Sequence, residues 1–183
     1  DPASPETWDL PFHAQRVNNG WHFTTLMGHL ASAGAAGKLL ALDEERLTSA
    51  FGIAYHQCSG NHQGRDDGTH TKRLGPGFAV RSGVSAALMA ERGVTGPRNT
   101  LDGHMGLFTM YFQGGYDPKI LTADLGKRYE GVNVSIKPYP CCRGTHTNID
   151  AALEIMRTHP VKPEDIKEIR VFADAGGYQM LST

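Results

Sequence analysis

Several things are scarce in this chain of 183 residues. It has three cysteines, Cys58, Cys141 and Cys142, and no CxxC pair. An odd count without paired spacing argues against a disulfide framework and for a reducing compartment, which places the protein in the cytoplasm. No run of 18 apolar residues offers a transmembrane helix, and no charged-then-apolar leader opens the chain. Net charge is −1, so there is no bulk attraction for nucleic acid or an anionic membrane. The phosphate-loop pattern GxxxxGK[ST] is missing, as is GxGxxG after a strand. Opening at Asp1-Pro2 without methionine reads as a processed or truncated chain.

Glycine is abundant instead, at 22 residues. The apolar fraction is 39%, enough for a real core. Residues 1–20 carry three prolines and read as an extended entry segment. From Gly20 to Leu42, Thr24 or Thr25 is placed to cap a helix running to about Leu40. Its body (Gly28, Ala31, Ser32, Ala33, Gly34, Ala35, Ala36, Gly37) is small enough for another helix backbone to approach closely. His29 within it reads as a packing histidine. Asp43 caps a second helix over 43–55, with Glu44 and Glu45 at its positive end. A third spans 78–92. A shorter helical segment follows over 100–112, and Asp117-Pro118 opens another that ends near Gly126. Near residue 130 the pattern changes. Val132, Val134 and Ile136 alternate as in a strand, a helix covers 145–157, and residues 166–173 read as a second strand. The fold class is therefore mainly α. Part of an all-helical domain (1–129) precedes the beginning of a smaller α/β (α+β) domain (130–183).

The stretch from Gly60 to Gly83 stands out, with His62, His70, Asp66, Asp67, Arg65, Lys72, Arg73 and Arg81 among six glycines. Glycine costs roughly 1 kcal/mol in a helix interior, so the stretch reads as a loop of about 20 residues. It is either a polar crossover or an anion-binding, proton-transfer loop in which Lys72 or Arg73 holds a carboxylate or phosphate. Other chemistries compete. His56, Cys58, His62 and His70 have zinc-ligand side chains at spacings that match no common structural site. Cys141 or Cys142 could act as a nucleophile at a helix start, or simply pack. The remaining reading is acid–base chemistry on a polycarboxylate. Lys72, Arg73, Lys137 and Arg143 supply cations, and His22, His70 and His146 are proton carriers near neutral pH.

Three ordered motifs carry a resemblance. GWHFTT…ASAGAAGKLLALDEERLTSAFGIA, then GTHTKRLGPGFAVRSGVSAALMAERGVTGP, then KPYPCCRGTHTNIDAAL together resemble the MmgE/PrpD family, over almost the whole chain from Gly20 to about Phe172. That family includes 2-methylcitrate dehydratase, cis-aconitate decarboxylase and iminodisuccinate epimerase, which act on small di- and tricarboxylates by proton transfer. The resemblance implies a helical domain joined to a smaller α/β domain, a homodimer, and no metal or other cofactor. It makes the chain an internal piece of a longer lyase, expected to be inactive alone, and a 2-methylcitrate dehydratase-like reaction is the leading expectation. An epimerase, a decarboxylase or an inactive carboxylate-binding module stand as alternatives. By resemblance Lys72, Lys137 and His22 match family site positions. His146 matches a second family histidine, and Cys142 stands where the decarboxylase branch has a catalytic histidine. Gly75 stands where that branch has a histidine three residues after the lysine. The expected catalytic set is Lys72, His146, His22 and Cys142. Arg73, Lys137, Arg143 and His70 are expected to bind substrate.

Overall fold

The computed structural model describes residues 20–112 and 116–172. The extended segment expected over 1–20 lies almost wholly outside them. The chain divides into two compact units, Asp1–Leu121 and Thr122–Thr183.

In the first unit three long helices pack pairwise: α1 (Phe23–Leu39), α2 (Glu44–His56) and, after the single-turn α3 (Gln63–Asp66), α4 (Thr71–Glu91). Two short helices follow, α5 (Leu107–Phe112) and α6 (Pro118–Thr122). The small residues of α1 do what their size predicts. Leu26, Leu30 and Ala33 of α1, Ala54 of α2, Ala86 of α4 and Leu107 and Phe108 of α5 form one buried cluster. Ala50, Ala87 and Ala90 form a second. Where α1 meets α4, Gly83 lies so close that a Cβ there would fall 2.6 Å from the Ala33 nitrogen and the His29 carbonyl oxygen. The Ser32 hydroxyl crosses the interface to the Ala79 carbonyl at 3.1 Å. With so little side chain between them, the two backbones gain dispersion contact along the interface. Leu26 and Leu107 are the largest side chains fully removed from water. Each contributes about 1.5–3 kcal/mol of burial.

Helix ends follow local chemistry in part. The Asp43 side chain accepts from the Arg46 N–H at 2.8 Å, capping α2 as expected. α1 starts earlier than expected. His22 occupies its cap position, and Thr24 and Thr25 lie inside the first turn. His29 is buried, its Nδ1 2.8 Å from the Thr25 carbonyl, as a packing histidine should be.

The expected loop over 60–83 is the main correction. α4 begins at Thr71 and runs through Gly75, Pro76 and Gly77. Glycine's intrinsic cost is outweighed because Gly75 and Gly83 lie where a side chain would collide with α1. The helical segment expected over 100–112 is confined to α5, and α6 ends at Thr122 rather than near Gly126.

The second unit contains a 3-10 turn at Glu130–Asn133, another at Arg143–Thr145, α7 (His146–Thr158) and a last 3-10 turn at Pro163–Asp165. The two expected strands form no ladder among the described residues. Val134 and Ile166 have extended backbone. Val132 and Ile136 are 83% and 93% exposed. An extended segment becomes a strand only against a partner that takes its N–H and C=O groups, and none lies alongside among the described residues. Ala173, the end of the second expected strand, is outside them.

The close α1–α4 approach makes a paired test. Gly83→Ala should destabilise the protein by about 1–3 kcal/mol through overpacking, against a helix-propensity gain of about 1 kcal/mol. Gly77→Ala, on the same helix with nothing within 4 Å of the new Cβ, should stabilise it by about 0.5–1 kcal/mol. Urea unfolding of both variants measures this. Equal effects would mean that the interface is looser than described.

Candidate active site

The site begins with a backbone clasp. Trp21 and Asn61 form an isolated antiparallel bridge. The His22 N–H donates to the Gly60 carbonyl at 3.1 Å, and the His62 N–H to the Gly20 carbonyl at 2.7 Å. Aromatic contacts hold the clasp against the helices. Trp21 meets the edge of Tyr111 at 4.9 Å, and the Tyr111 hydroxyl donates to the Cys58 carbonyl at 3.0 Å. This sets the His22 and His62 rings edge to face, 5.0 Å apart.

The His22 Nδ1 lies 2.5 Å from the Thr25 hydroxyl. Thr25 is buried between two bare backbones. A Cβ on Gly60 would come within 2.7 Å of its Cγ2, and one on Gly75 within 2.6 Å of its Oγ1. The His62 Nδ1 is shut off from solvent and has no hydrogen-bond partner among the described residues. Burial and the Lys72 charge hold the His22 imidazole below its ordinary proton affinity. His62 is lowered by burial, then by Arg65, His22 and Lys72, with Asp66 opposing. Both rings are therefore neutral at pH 7, and Lys72 is near enough to act on each. Two neutral imidazoles and an ammonium without a carboxylate partner among the described residues suit an anion.

Of the residues singled out from sequence, His22 and Lys72 come together here. His70 occupies the cap position of α4 and Arg73 its third residue; both are exposed on the turn that carries Lys72. His62 joins His22 and Lys72, although the sequence marked it only as one histidine of a polar stretch and an ill-spaced zinc candidate. The zinc candidates do not converge, and no group of three or more metal-ligating side chains forms among the described residues. His56 ends α2 exposed. Cys58 is buried, its thiol 3.6 Å from the Leu26 carbonyl and pushed up to about 12 by burial.

The second unit gathers Lys137, Cys142, Arg143 and His146 on one turn and helix start. Lys137 Nζ donates to the Cys141 carbonyl at 3.0 Å, and Arg143 to the Ser135 hydroxyl at 2.8 Å. Both cations brace the turn on which they stand. Cys141 Sγ lies 3.1 Å from the Thr145 hydroxyl, and Cys142 is exposed. Tyr139 donates to Asp150 at 2.5 Å, a bond that pushes the phenol's proton affinity up. Its ring meets the edge of His146 at 5.3 Å. His146 is buried at the first position of α7, with Nε2 unpartnered among the described residues.

The imidazole pair makes stability depend on pH. Each folded-state value lies below 6.5, the value in an unfolded chain. Below pH 6.5 the unfolded state therefore takes up protons more readily, and stability falls as pH drops until the folded rings also titrate. Unfolding midpoints from pH 8 to 5.5 should show this fall, and His22→Gln with His62→Gln should blunt it. An unchanged slope in the double variant would remove the two rings as its source.

The chain can now be set beside known proteins. The profile of the MmgE/PrpD N-terminal domain matches residues 8–119, and that of the MmgE/PrpD C-terminal domain matches residues 139–183. A cis-aconitate decarboxylase-like protein, oryM, of Aspergillus oryzae is 33% identical over 164 residues, covering 86% of this chain and 34% of the relative. Cis-aconitate decarboxylase of Aspergillus terreus is 33% identical over 164 residues, covering 86% of this chain and 33% of the relative. The human cis-aconitate decarboxylase is 31% identical over 142 residues, covering 75% of this chain and 28% of its own length. The chain spans about a third of the length of these curated relatives. With one domain profile across the first helical unit and another beginning at the turn that leads into α7, the chain belongs to the MmgE/PrpD family.

Proposed function

We propose that this chain is part of a lyase that moves a proton on a small di- or tricarboxylate. The observation that supports the reading is the grouping of His22, His62 and Lys72. Loss of a proton from the carbon beside a carboxylate puts negative charge on the carboxylate oxygens. The Lys72 ammonium is suited to offset that charge. A neutral imidazole accepts a proton or gives one at neutral pH without a large energetic penalty. In a dehydration the proton leaves one carbon and hydroxide leaves the next, taking a proton to depart as water. In a decarboxylation the carbon–carboxylate bond breaks, CO2 departs, and the carbanion takes the proton.

The dehydration, as on 2-methylcitrate, is the leading reading. Gly75 and Cys142 stand where the decarboxylase branch carries histidines, which favours it. The names of the relatives favour the second reading, decarboxylation of cis-aconitate. Lys137, Arg143, His146 and Cys142 are proposed as the second unit's contribution to substrate binding and proton transfer, and His70 and Arg73 as further cationic contacts. The working protein is proposed to be a cytoplasmic homodimer that needs no metal. The family resemblance supports this. The 183-residue chain alone is proposed to be inactive.

Proton NMR of the full-length protein in deuterated water, with 2-methylcitrate, citrate and cis-aconitate in separate samples, tests the reading. Deuterium incorporation or an alkene product from the first two marks dehydration; CO2 loss from the third marks decarboxylation. Lys72→Ala should lower kcat/KM by about 100-fold or more with the fold intact by circular dichroism. Near-wild-type turnover in that variant would remove Lys72 from the chemistry.

A further inference from the structure

The Thr25 hydroxyl has one proton to place. It is buried, in the first turn of α1, and has a single hydrogen-bond partner among the described residues, the His22 Nδ1 at 2.5 Å. A threonine in a helix commonly turns its hydroxyl back to a carbonyl three or four residues earlier. Thr25 does not bond to a carbonyl, and its side chain reaches back to the ring of His22, three residues earlier, instead. If Nδ1 carried the ring's proton, two hydrogens would meet on one axis, or the hydroxyl would turn away and leave its own O–H buried without an acceptor, which is costly. The arrangement that leaves nothing unsatisfied has Thr25 donating to a bare Nδ1. A neutral imidazole has one N–H, which must then be on Nε2.

We infer that Thr25 is a positioning residue that locks His22 in the Nε2–H tautomer, so that His22 meets the substrate as a hydrogen-bond and proton donor rather than as the base. The backbone is arranged for this contact. Gly60 and Gly75 flank Thr25, and a side chain at 75 would fall 2.6 Å from the hydroxyl oxygen and displace it. That gives a physical reason for glycine where the resembling decarboxylase branch has histidine, since the volume is already taken by the Thr25–His22 pair. The tautomer question has meaning at working pH because burial and Lys72 keep the ring neutral. An Nε2–H within electrostatic reach of the Lys72 ammonium would give an anionic oxygen two donors of this kind. The donor role rests on the proposed lyase reaction; the tautomer does not.

Two measurements on the full-length protein test the inference separately. The first is 15N NMR of the histidine-labelled wild type at pH 7.5, with His22 assigned from the loss of its signals in His22→Gln. Nε2 should resonate as a protonated ring nitrogen and Nδ1 as a bare one. A protonated Nδ1, or a cationic ring, overturns the assignment, and this arm needs no variant at residue 25. The second compares Thr25→Val with Thr25→Ser on whichever carboxylate the wild type converts. Thr25→Val should lower kcat about tenfold or more with KM within about threefold, and Thr25→Ser should restore kcat to within about threefold. Wild-type kcat in the valine variant, or equal losses in both, overturns the positioning role. If no carboxylate is converted while the nitrogen spectrum shows the Nε2–H form, the lyase reading fails and the tautomer assignment stands.

Discussion

Helices α1 and α4 meet through residues too small to hold two backbones apart. Gly28 faces Ala79, and Gly83 faces Ser32, Ala33 and the His29 carbonyl. Because packed interiors have few voids and yield little, this contact sets where each helix begins, to within small tilts of its first turn. The first turn of α1 carries Thr25 and follows His22. The first turn of α4 carries Lys72, and Gly75 directly follows that turn. The imidazole and the ammonium are therefore placed by a contact made further along the same helices, out of glycine, alanine and serine. The polar stretch between α2 and α4 adds His62 through the bridge of Trp21 with Asn61.

That arrangement explains why charge at the site is unbalanced. Neither imidazole has a carboxylate beside it strong enough to raise its proton affinity. For His62 the pull of Asp66 is smaller than the effects of burial, Arg65 and His22. A protein that keeps two rings neutral next to an ammonium has given up local charge balance in the unliganded state. An anionic ligand would restore the balance. For the carboxylate substrate proposed above, this would be an electrostatic form of complementarity, in which the ligand supplies the missing half of the ion pair.

The sequence disclosed the local features and missed those made by tertiary contact. Asp43 followed by two glutamates reads as a helix cap because the capping bond is between residues three apart, and the structure keeps it. The small-residue body of α1 reads as a close-packed helix because size alone decides the approach. The start of α4 was not legible. Gly75, Pro76 and Gly77 carry an intrinsic penalty in a helix, and the compensation, room for Thr25 beside Gly75, comes from another helix about 50 positions away. His62 was equally hidden as a site residue, since only the bridge to Trp21 brings it to His22. Val132–Ile136 alternates as a strand should, yet alternation specifies faces and cannot supply a pairing partner. Membership of the MmgE/PrpD family was legible from three motifs taken in order, because together they record the close-packed helices and the polar residues set between them.

Pro76 sits six residues into α4 and has no N–H to offer the Lys72 carbonyl. The helix is thus missing one rung at the residue that carries the proposed anion-binding charge. The turn before the proline is therefore joined to the remainder of α4 by one hydrogen bond fewer than in an uninterrupted helix. A rigid α4 body, clamped against α1, therefore ends in a short segment with its own softer mechanics. Small backbone tilts there would let Lys72 adjust its reach to the proposed anionic ligand, at little cost to the clamp that holds the rest of the unit together.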